Sequence, residues 1–169
     1  LRIGVATAKG LAWAAEKPCA GCSTLASMAW NLAGFSGQVC VAMDARRHQI
    51  YNARFQVDGT QPHRLTSDRA IALEDLVAEL QGTQSPQLVV GDGAQLCYDA
   101  LTAAGIPAKL APPNLRLQSA WGVAREGLAL AQAGQTCPPD QLVPAYHRLS
   151  QAERERLARE KAAPAPQNQ

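Results

Sequence analysis

Leu88-Val89-Val90-Gly91-Asp92-Gly93-Ala94 is the stretch on which the fold turns. Three consecutive apolar residues are followed by a glycine-rich turn and then by a helical pattern over residues 94–104. A short apolar run bounded by turn residues reads as a strand. A strand that runs through such a turn into a helix is the repeating unit of an α/β fold.

The neighbouring sequence extends this pattern in both directions. Upstream, residues 72–80 form an amphipathic helix with Leu73, Leu76, Val77 and Leu80 on its core side. Before it lies a hairpin, with Val39, Val41 and Met43 alternating on one strand and Ile50, Ala53 and Phe55 on the other. Residues 44–48 make its turn, Asp58-Gly59 closes it, and residues 63–67 read as a further strand. Hairpin pairing is antiparallel, so the sheet is expected to be mixed. Downstream, residues 108–110 read as a strand, Pro112-Pro113 as a break and residues 119–133 as a helix. Residues 142–148 read as extended, and Ser150 opens a last helix with Glu153 completing a capping box and Glu155 set to pair with Arg159. Residues 162–169 contain only Ala, Pro, Gln and Asn and read as a disordered tail.

At the other end, residues 1–15 have helical spacing. Leu1, Val5, Ala8 and Ala12 form one stripe, and Gly4, Ala8, Leu11 and Ala15 form an overlapping one. Small residues on a helix let another helix come close. Pro18 ends the pattern, and residues 19–22 read as a short buried strand. Ser23 or Thr24 caps the next helix, which carries Leu25, Met28, Ala29 and Leu32. The pattern starts at Leu1 with no capping residue, so an incomplete first element is the expectation.

Composition excludes some functions. The 169 residues are 47% hydrophobic and 18% charged, with a net charge of +2. Charge this close to neutral does not suggest a protein that grips a nucleic-acid backbone alone. No apolar run reaches the ~18 residues a membrane span needs. Neither a transmembrane helix nor a signal peptide is read from the sequence, and a cytoplasmic location is expected. The five cysteines, Cys19, Cys22, Cys40, Cys97 and Cys137, are odd in number and mostly in apolar surroundings, as reduced thiols would be.

Four segments in order carry a family resemblance. Residues 1–12 resemble the helix that follows a Gly-Pro-Gly-Ser-Phe-Thr-Gly turn. Met43-Asp44-Ala45-Arg46-Arg47 followed by Tyr51, Val90-Gly91-Asp92-Gly93-Ala94, and Pro144-Ala145-Tyr146-His147-Arg148 resemble three further motifs. Together they are similar to the TsaB (YeaZ) family of tRNA threonylcarbamoyladenosine biosynthesis proteins. That resemblance implies an actin-like (ASKHA, ribonuclease H-like) fold of two lobes, with the first lobe incomplete. Residues 1–36 would be its remnant and residues 37–161 the second lobe. It also implies a non-catalytic subunit that binds and stabilises the catalytic paralogue TsaD. The ATPase TsaE would be a further partner, a homodimer an alternative pairing, and tRNA would be contacted only indirectly through the complex. The resemblance points to the first helix, with Ile3, Gly4, Thr7, Ala8 and Leu11, as the partner surface. If its neighbours are missing, that helix exposes an apolar face and promotes dimerisation or aggregation. One departure concerns the hairpin turn, which has His48-Gln49 where the family often has Gly-Glu. Glycine is the usual choice for a positive φ, so the turn conformation is open.

The resemblance extends to the metal-dependent paralogue TsaD, whose matching helix carries two histidines four apart. Thr24 and Met28 stand at those positions here. A hydroxyl and a thioether do not replace two imidazoles for iron or zinc. His48, His63 and His147 show no ligand spacing. No catalytic residue, metal or cofactor is therefore assigned, and a peptidase reading finds no support.

Three features keep two readings each. Cys19-Ala20-Gly21-Cys22 is a redox or zinc C-x-x-C, or buried structural thiols; a redox pair normally opens a helix, and no second C-x-x-C exists. Gly91, Asp92 and Gly93 could cradle a nucleotide phosphate or form a bare turn. The first option underlies the alternative function, a nucleotide-dependent transferase or hydrolase of the actin-like superfamily. Asp44, Arg46 and Arg47 could meet a partner or nucleic acid, or form a solvated turn.

Overall fold

The computed structural model describes residues 1–147. The expected helix from Ser150, its capping box, Arg148 and the expected tail lie outside the described residues.

Helix α1 (Arg2–Ala14) and helix α2 (Thr24–Trp30) come first. The hairpin follows as β1 (Ser36–Asp44) and β2 (Gln49–Asp58), then β3 (Pro62–Arg64) and β4 (Arg69–Ala72). Helix α3 (Leu73–Leu80), β5 (Gln87–Val90), α4 (Ala94–Ala103), β6 (Ala108–Leu110) and α5 (Ala120–Gln132) complete the regular elements. Short 3-10 turns sit at Pro113–Leu115 and Pro139–Gln141.

The strands form one six-stranded sheet in the order β3-β2-β1-β5-β6, with β4 also on β2. β1 runs antiparallel to β2 and parallel to β5, and β5 is parallel to β6. The sheet is mixed, as the hairpin implied. Both faces are covered. Leu25, Met28, Ala29 and Leu32 of the α2 region pack with Val39, Val41, Ala53, Phe55 and Val57 on one face. Leu73, Leu76, Leu80, Cys97 and Leu101 pack with Cys40, Ala42, Ile50 and Val89 on the other. β1 is therefore buried along Val39, Cys40, Val41 and Ala42, two side chains to each face.

Two serines start helices as side-chain caps. Ser23 Oγ accepts from Ala26 N at 3.1 Å, and Ser119 Oγ accepts from Gly122 N at 3.0 Å. α5 lies on α2 rather than on the sheet, and Gly122 permits the approach. A Cβ there would stand 2.2 Å from Ser27 O. Asn31 joins the same contact, accepting from Ser119 Oγ at 2.6 Å and donating to Leu117 O at 2.8 Å.

Several expectations change. Residues 19–22 do not form a strand; Cys19 makes a single antiparallel bridge with Cys137. The strand expected at 63–67 is displaced to Pro62–Arg64. β4 was not expected, and it takes Ala72 from the start of the helix. Ile50 does not share a face with Ala53 and Phe55, because strand residues an odd number apart point to opposite sides. Residues 142–146, read as extended, pair into no strand, and Leu142 has extended backbone with φ −68° and ψ 118°.

Candidate partner interface

Helix α1 buries none of its residues. Its inner side rests on the turn at Pro139–Gln141 and the chain beyond it. Lys9 Nζ donates to Asp140 O at 3.0 Å and to Leu142 O at 3.2 Å, and Arg2 Nε donates to Tyr146 Oη at 3.2 Å. Val5, Lys9 and Ala12 are half-buried on that side.

The expected interface residues lie on the other side. Ile3, Gly4, Thr7, Ala8 and Leu11 are all exposed, Ile3 at 86% and Leu11 at 69%. Ile3, Thr7 and Leu11 follow one another at four-residue spacing and so form one ridge. Thr7 turns its hydroxyl back to Ile3 O at 3.0 Å, so its polar group is used within the helix. None of these five residues is charged.

Gly4 and Gly10 add a second observation. A Cβ at either position would meet nothing within 4 Å. Glycine inside a helix costs roughly 0.5–1 kcal/mol relative to alanine. No contact among the described residues accounts for that cost. Trp13, 69% exposed, was not singled out from the sequence; it lies off the Ile3, Thr7 and Leu11 ridge and lines the groove beside Cys137 and Pro138. Its apolar character was the available signal; its exposure was not visible in the sequence.

Gly91, Asp92 and Gly93 are brought against the end of β1. Gly91 has φ +118°, and a Cβ on it would lie 2.0 Å from Ala42 O; one on Gly93 would lie 2.8 Å from Asp44 N. Gly91 N donates to Arg116 O at 2.8 Å and Gly93 N to Ala42 O at 3.1 Å. Asp92 Oδ1 accepts from Asp44 N at 3.2 Å. Close approach of two backbones explains both glycines, and two of the N–H groups that a phosphate would use are engaged within the chain.

At the hairpin tip, Asp44 Oδ1 accepts from Arg46 N at 2.6 Å. Arg46, Arg47 and His48 all take left-handed backbone, with φ of 64°, 56° and 57°. The departure from glycine at position 48 therefore leaves the positive φ in place. All three side chains are exposed.

Thr24 is exposed, whereas Met28 is 1% exposed within the sheet-facing core. The two positions matched to the paralogue's histidines therefore do not share an open site. His63 pairs with Asp58 at 2.8 Å and His147 with Asp68 at 3.8 Å. Among the described residues no group of three or more His, Cys, Asp or Glu is placed to hold a metal ion. None of the described helices is long and apolar enough to cross a membrane.

The C-x-x-C splits in the fold. Cys19 bridges to Cys137, while Cys22 Sγ contacts Val123 O of α5 at 3.6 Å. Burial, and then the charge of Glu126, push the Cys22 thiol up from its ordinary pKa. Two grooves went unanticipated. One of about 410 Å³ runs beside Trp13, Lys17, Cys137 and Pro138. The other, about 630 Å³, lies at the sheet edge where β1 and β5 begin, with Phe35, Val39 and Leu88 in its lining.

Comparison with known proteins agrees with this architecture. Residues 1–155 match the family model described as TsaD, tRNA N6-adenosine threonylcarbamoyltransferase. The chain is 31% identical over 157 residues to the tRNA threonylcarbamoyladenosine biosynthesis protein TsaB of Bacillus subtilis, covering 90% of this chain and 66% of that one. It is 34% identical over 110 residues to the Escherichia coli protein of the same description, covering 63% of this chain and 47% of that one. It thus spans between about half and two thirds of the length of these relatives. Among solved structures, a Pseudomonas aeruginosa protein described as uncharacterized with similarity to peptidase YEAZ superposes with a TM-score of 0.71 at 21% identity, over 87% of this chain and 67% of that one. YeaZ from Pseudomonas aeruginosa superposes at 0.65 and 21%, over 86% and 68%. These two show a shared α/β fold with a mixed sheet. On the sequence matches, the chain belongs to the TsaD-related TsaB (YeaZ) family of tRNA threonylcarbamoyladenosine biosynthesis proteins.

Proposed function

We propose that this chain is a non-catalytic subunit of the complex that forms threonylcarbamoyladenosine in tRNA. Its role is to bind and stabilise the catalytic paralogue TsaD, with TsaE as a further partner and tRNA reached only through the complex. The work takes place in the cytoplasm. The reading includes a two-lobed actin-like fold, in which residues 1–36 belong to the first lobe and residues 37–161 to the second.

The observation that carries it is the outer face of α1. Ile3, Gly4, Thr7, Ala8 and Leu11 are exposed and uncharged, and the glycines there have no steric reason within the described chain. Full burial of an Ile or Leu side chain is worth about 1.5–3 kcal/mol. Ile3 and Leu11 would therefore supply part of a stable interface, which commonly buries about 1,200–2,000 Å². The chemistry at Thr24 and Met28 supports the non-catalytic half of the reading. The alternative, a nucleotide-dependent transferase or hydrolase, draws on analogy with the actin-like fold and on Gly91, Asp92 and Gly93, whose turn packing on β1 accounts for.

The test is co-purification of the full chain with a tagged TsaD paralogue, followed by size-exclusion chromatography. A stoichiometric complex is expected with TsaD, and homodimer formation through the same face would appear as a TsaD-competed species. Separate elution of the two proteins would sink the reading. Calorimetry with ATP and magnesium distinguishes the alternative, which requires binding that Asp92→Ala removes.

A further inference from the structure

Cys19 and Cys137 are directly opposed across the antiparallel bridge that joins the start and end of the described chain. Cys19 N donates to Cys137 O at 2.8 Å and Cys137 N to Cys19 O at 2.9 Å. This is the hydrogen-bonded kind of antiparallel pair, whose Cα atoms lie about 5.5 Å apart. That Cα spacing falls inside the roughly 4.4–6.8 Å that a disulfide spans, while the side chains of such a pair stand farther apart than those of the non-hydrogen-bonded kind, so closing the bond draws the two Cβ atoms together by a local shift of the chain. Both thiols are free here.

We propose that Cys19 and Cys137 are a dithiol modification site, oxidised to one cross-strand disulfide by a low-molecular-weight disulfide such as glutathione disulfide. Access and order follow from burial. Cys137 is half-buried and lines the groove of about 410 Å³ beside Trp13 and Lys17, whereas Cys19 is 8% exposed. A small disulfide enters there. The Cys137 thiolate attacks one of its sulfurs, forming a mixed disulfide and releasing one small thiol. The Cys19 thiolate then attacks the Cys137 sulfur and expels the second small thiol. Two protein thiols are oxidised, one small disulfide is reduced to two thiols, and the two protons pass to the released thiolates.

The other cysteines are poorly placed for this exchange. Cys22 is turned toward Val123 O of α5, and its thiol is pushed up by burial. Cys40 and Cys97 lie 3.9 Å apart at Sγ but are fully buried in the core, out of reach of a dissolved oxidant. The bond would tie the chain leaving α1 to the segment entering the turn at Pro139–Gln141, on which α1 rests. It would act as a reversible staple on a helix that buries no residue of its own.

The experiment treats the full chain with glutathione disulfide, then unfolds it, alkylates free thiols and maps the peptides. Two fewer cysteines are labelled than in reduced protein, and the linked peptide pair contains Cys19 and Cys137. Cys22→Ser leaves this outcome unchanged, and Cys137→Ser removes it. Trypsin cleaves after Lys9 several-fold more slowly in the oxidised protein than in Cys137→Ser. A Cys19–Cys22 linkage, a mixed disulfide that persists on Cys137, full labelling of all thiols, or equal cleavage rates would overturn the proposal.

Discussion

Replacing His48 with glycine should stabilise the protein. His48 holds φ 57° at the hairpin tip, directly after Arg46 at 64° and Arg47 at 56°. A residue with a Cβ pays roughly 1–2 kcal/mol in that region because the Cβ crowds the following carbonyl. Glycine removes the crowding but raises the entropy of the unfolded chain, which offsets about 0.4–1 kcal/mol. The net gain is about 0.5–1 kcal/mol, or roughly 1–4 °C in Tm for a chain of this size. The imidazole is exposed, and the backbone bond from Leu73 N to His48 O at 3.1 Å survives any substitution. Thermal unfolding followed by circular dichroism measures the shift, and urea titration with an unchanged m value excludes a change in compactness. His48→Ala is the control, because it keeps the Cβ and should leave Tm near wild type. His48→Asn should fall between the two. A gain from alanine equal to that from glycine, or a loss from glycine, would refute the left-handed tip.

Four further outcomes follow. Gly91→Ala adds a Cβ 2.0 Å from Ala42 O at φ +118° and should cost about 3 kcal/mol or more; Gly122→Ala, at 2.2 Å from Ser27 O, should cost about 1–3 kcal/mol, both by denaturant titration. Met28→His places an imidazole in the core beside the sheet and should cost about 2–4 kcal/mol, with no metal retained by the Thr24→His, Met28→His double variant on elemental analysis. The Asp58 carboxyl is held well below the usual range by hydrogen bonds from the Thr60 hydroxyl and His63, then from Gln61 N and Thr60 N. A carboxylate depressed in the folded state stabilises above the unfolded pKa of about 4 and loses that contribution as pH falls through the folded value, so the stabilities of Asp58→Asn and wild type should converge on acidification below about pH 4. Ile3→Asp and Leu11→Asp alter only an exposed face and should move stability by no more than about 0.5 kcal/mol, as read by thermal unfolding.

The elements legible in the sequence were those whose signal is local. Val89 and Val90 marked β5, the glycines after them marked the turn, and Leu73, Leu76 and Leu80 marked α3. β4 escaped because Arg69-Ala70-Ile71-Ala72 has no alternation, all four residues being half-buried at the edge of β2. The strand expected at residues 19–22 failed for a related reason. An apolar run states burial but not pairing, and the partner of Cys19 lies at Cys137, far along the chain. The alternation read for β1 implied one covered face, whereas Cys40 and Ala42 are buried on the second. For the interface, helical spacing identified α1 and its small residues. The side that rests on the turn at Pro139–Gln141 carries Arg2 and Lys9 beside Val5 and Ala12, whereas the open side carries Ile3 and Leu11, so polarity alone pointed the wrong way. The glycine turn at residues 91–93 shows the same limit: its sequence fits a phosphate cradle or a close backbone contact, and only the approach to Ala42 and Asp44 explains both glycines.

The central claim is that this chain acts by docking on TsaD through the outer face of α1. Titration calorimetry of the full chain into the TsaD paralogue tests it most directly, with wild type compared with the Ile3→Asp, Leu11→Asp double variant. Losing two buried aliphatic contacts, at about 1.5–3 kcal/mol each, predicts at least a ~100-fold weaker complex with the variant. Equal affinity for the two proteins, or no heat of binding with wild type, would contradict the account.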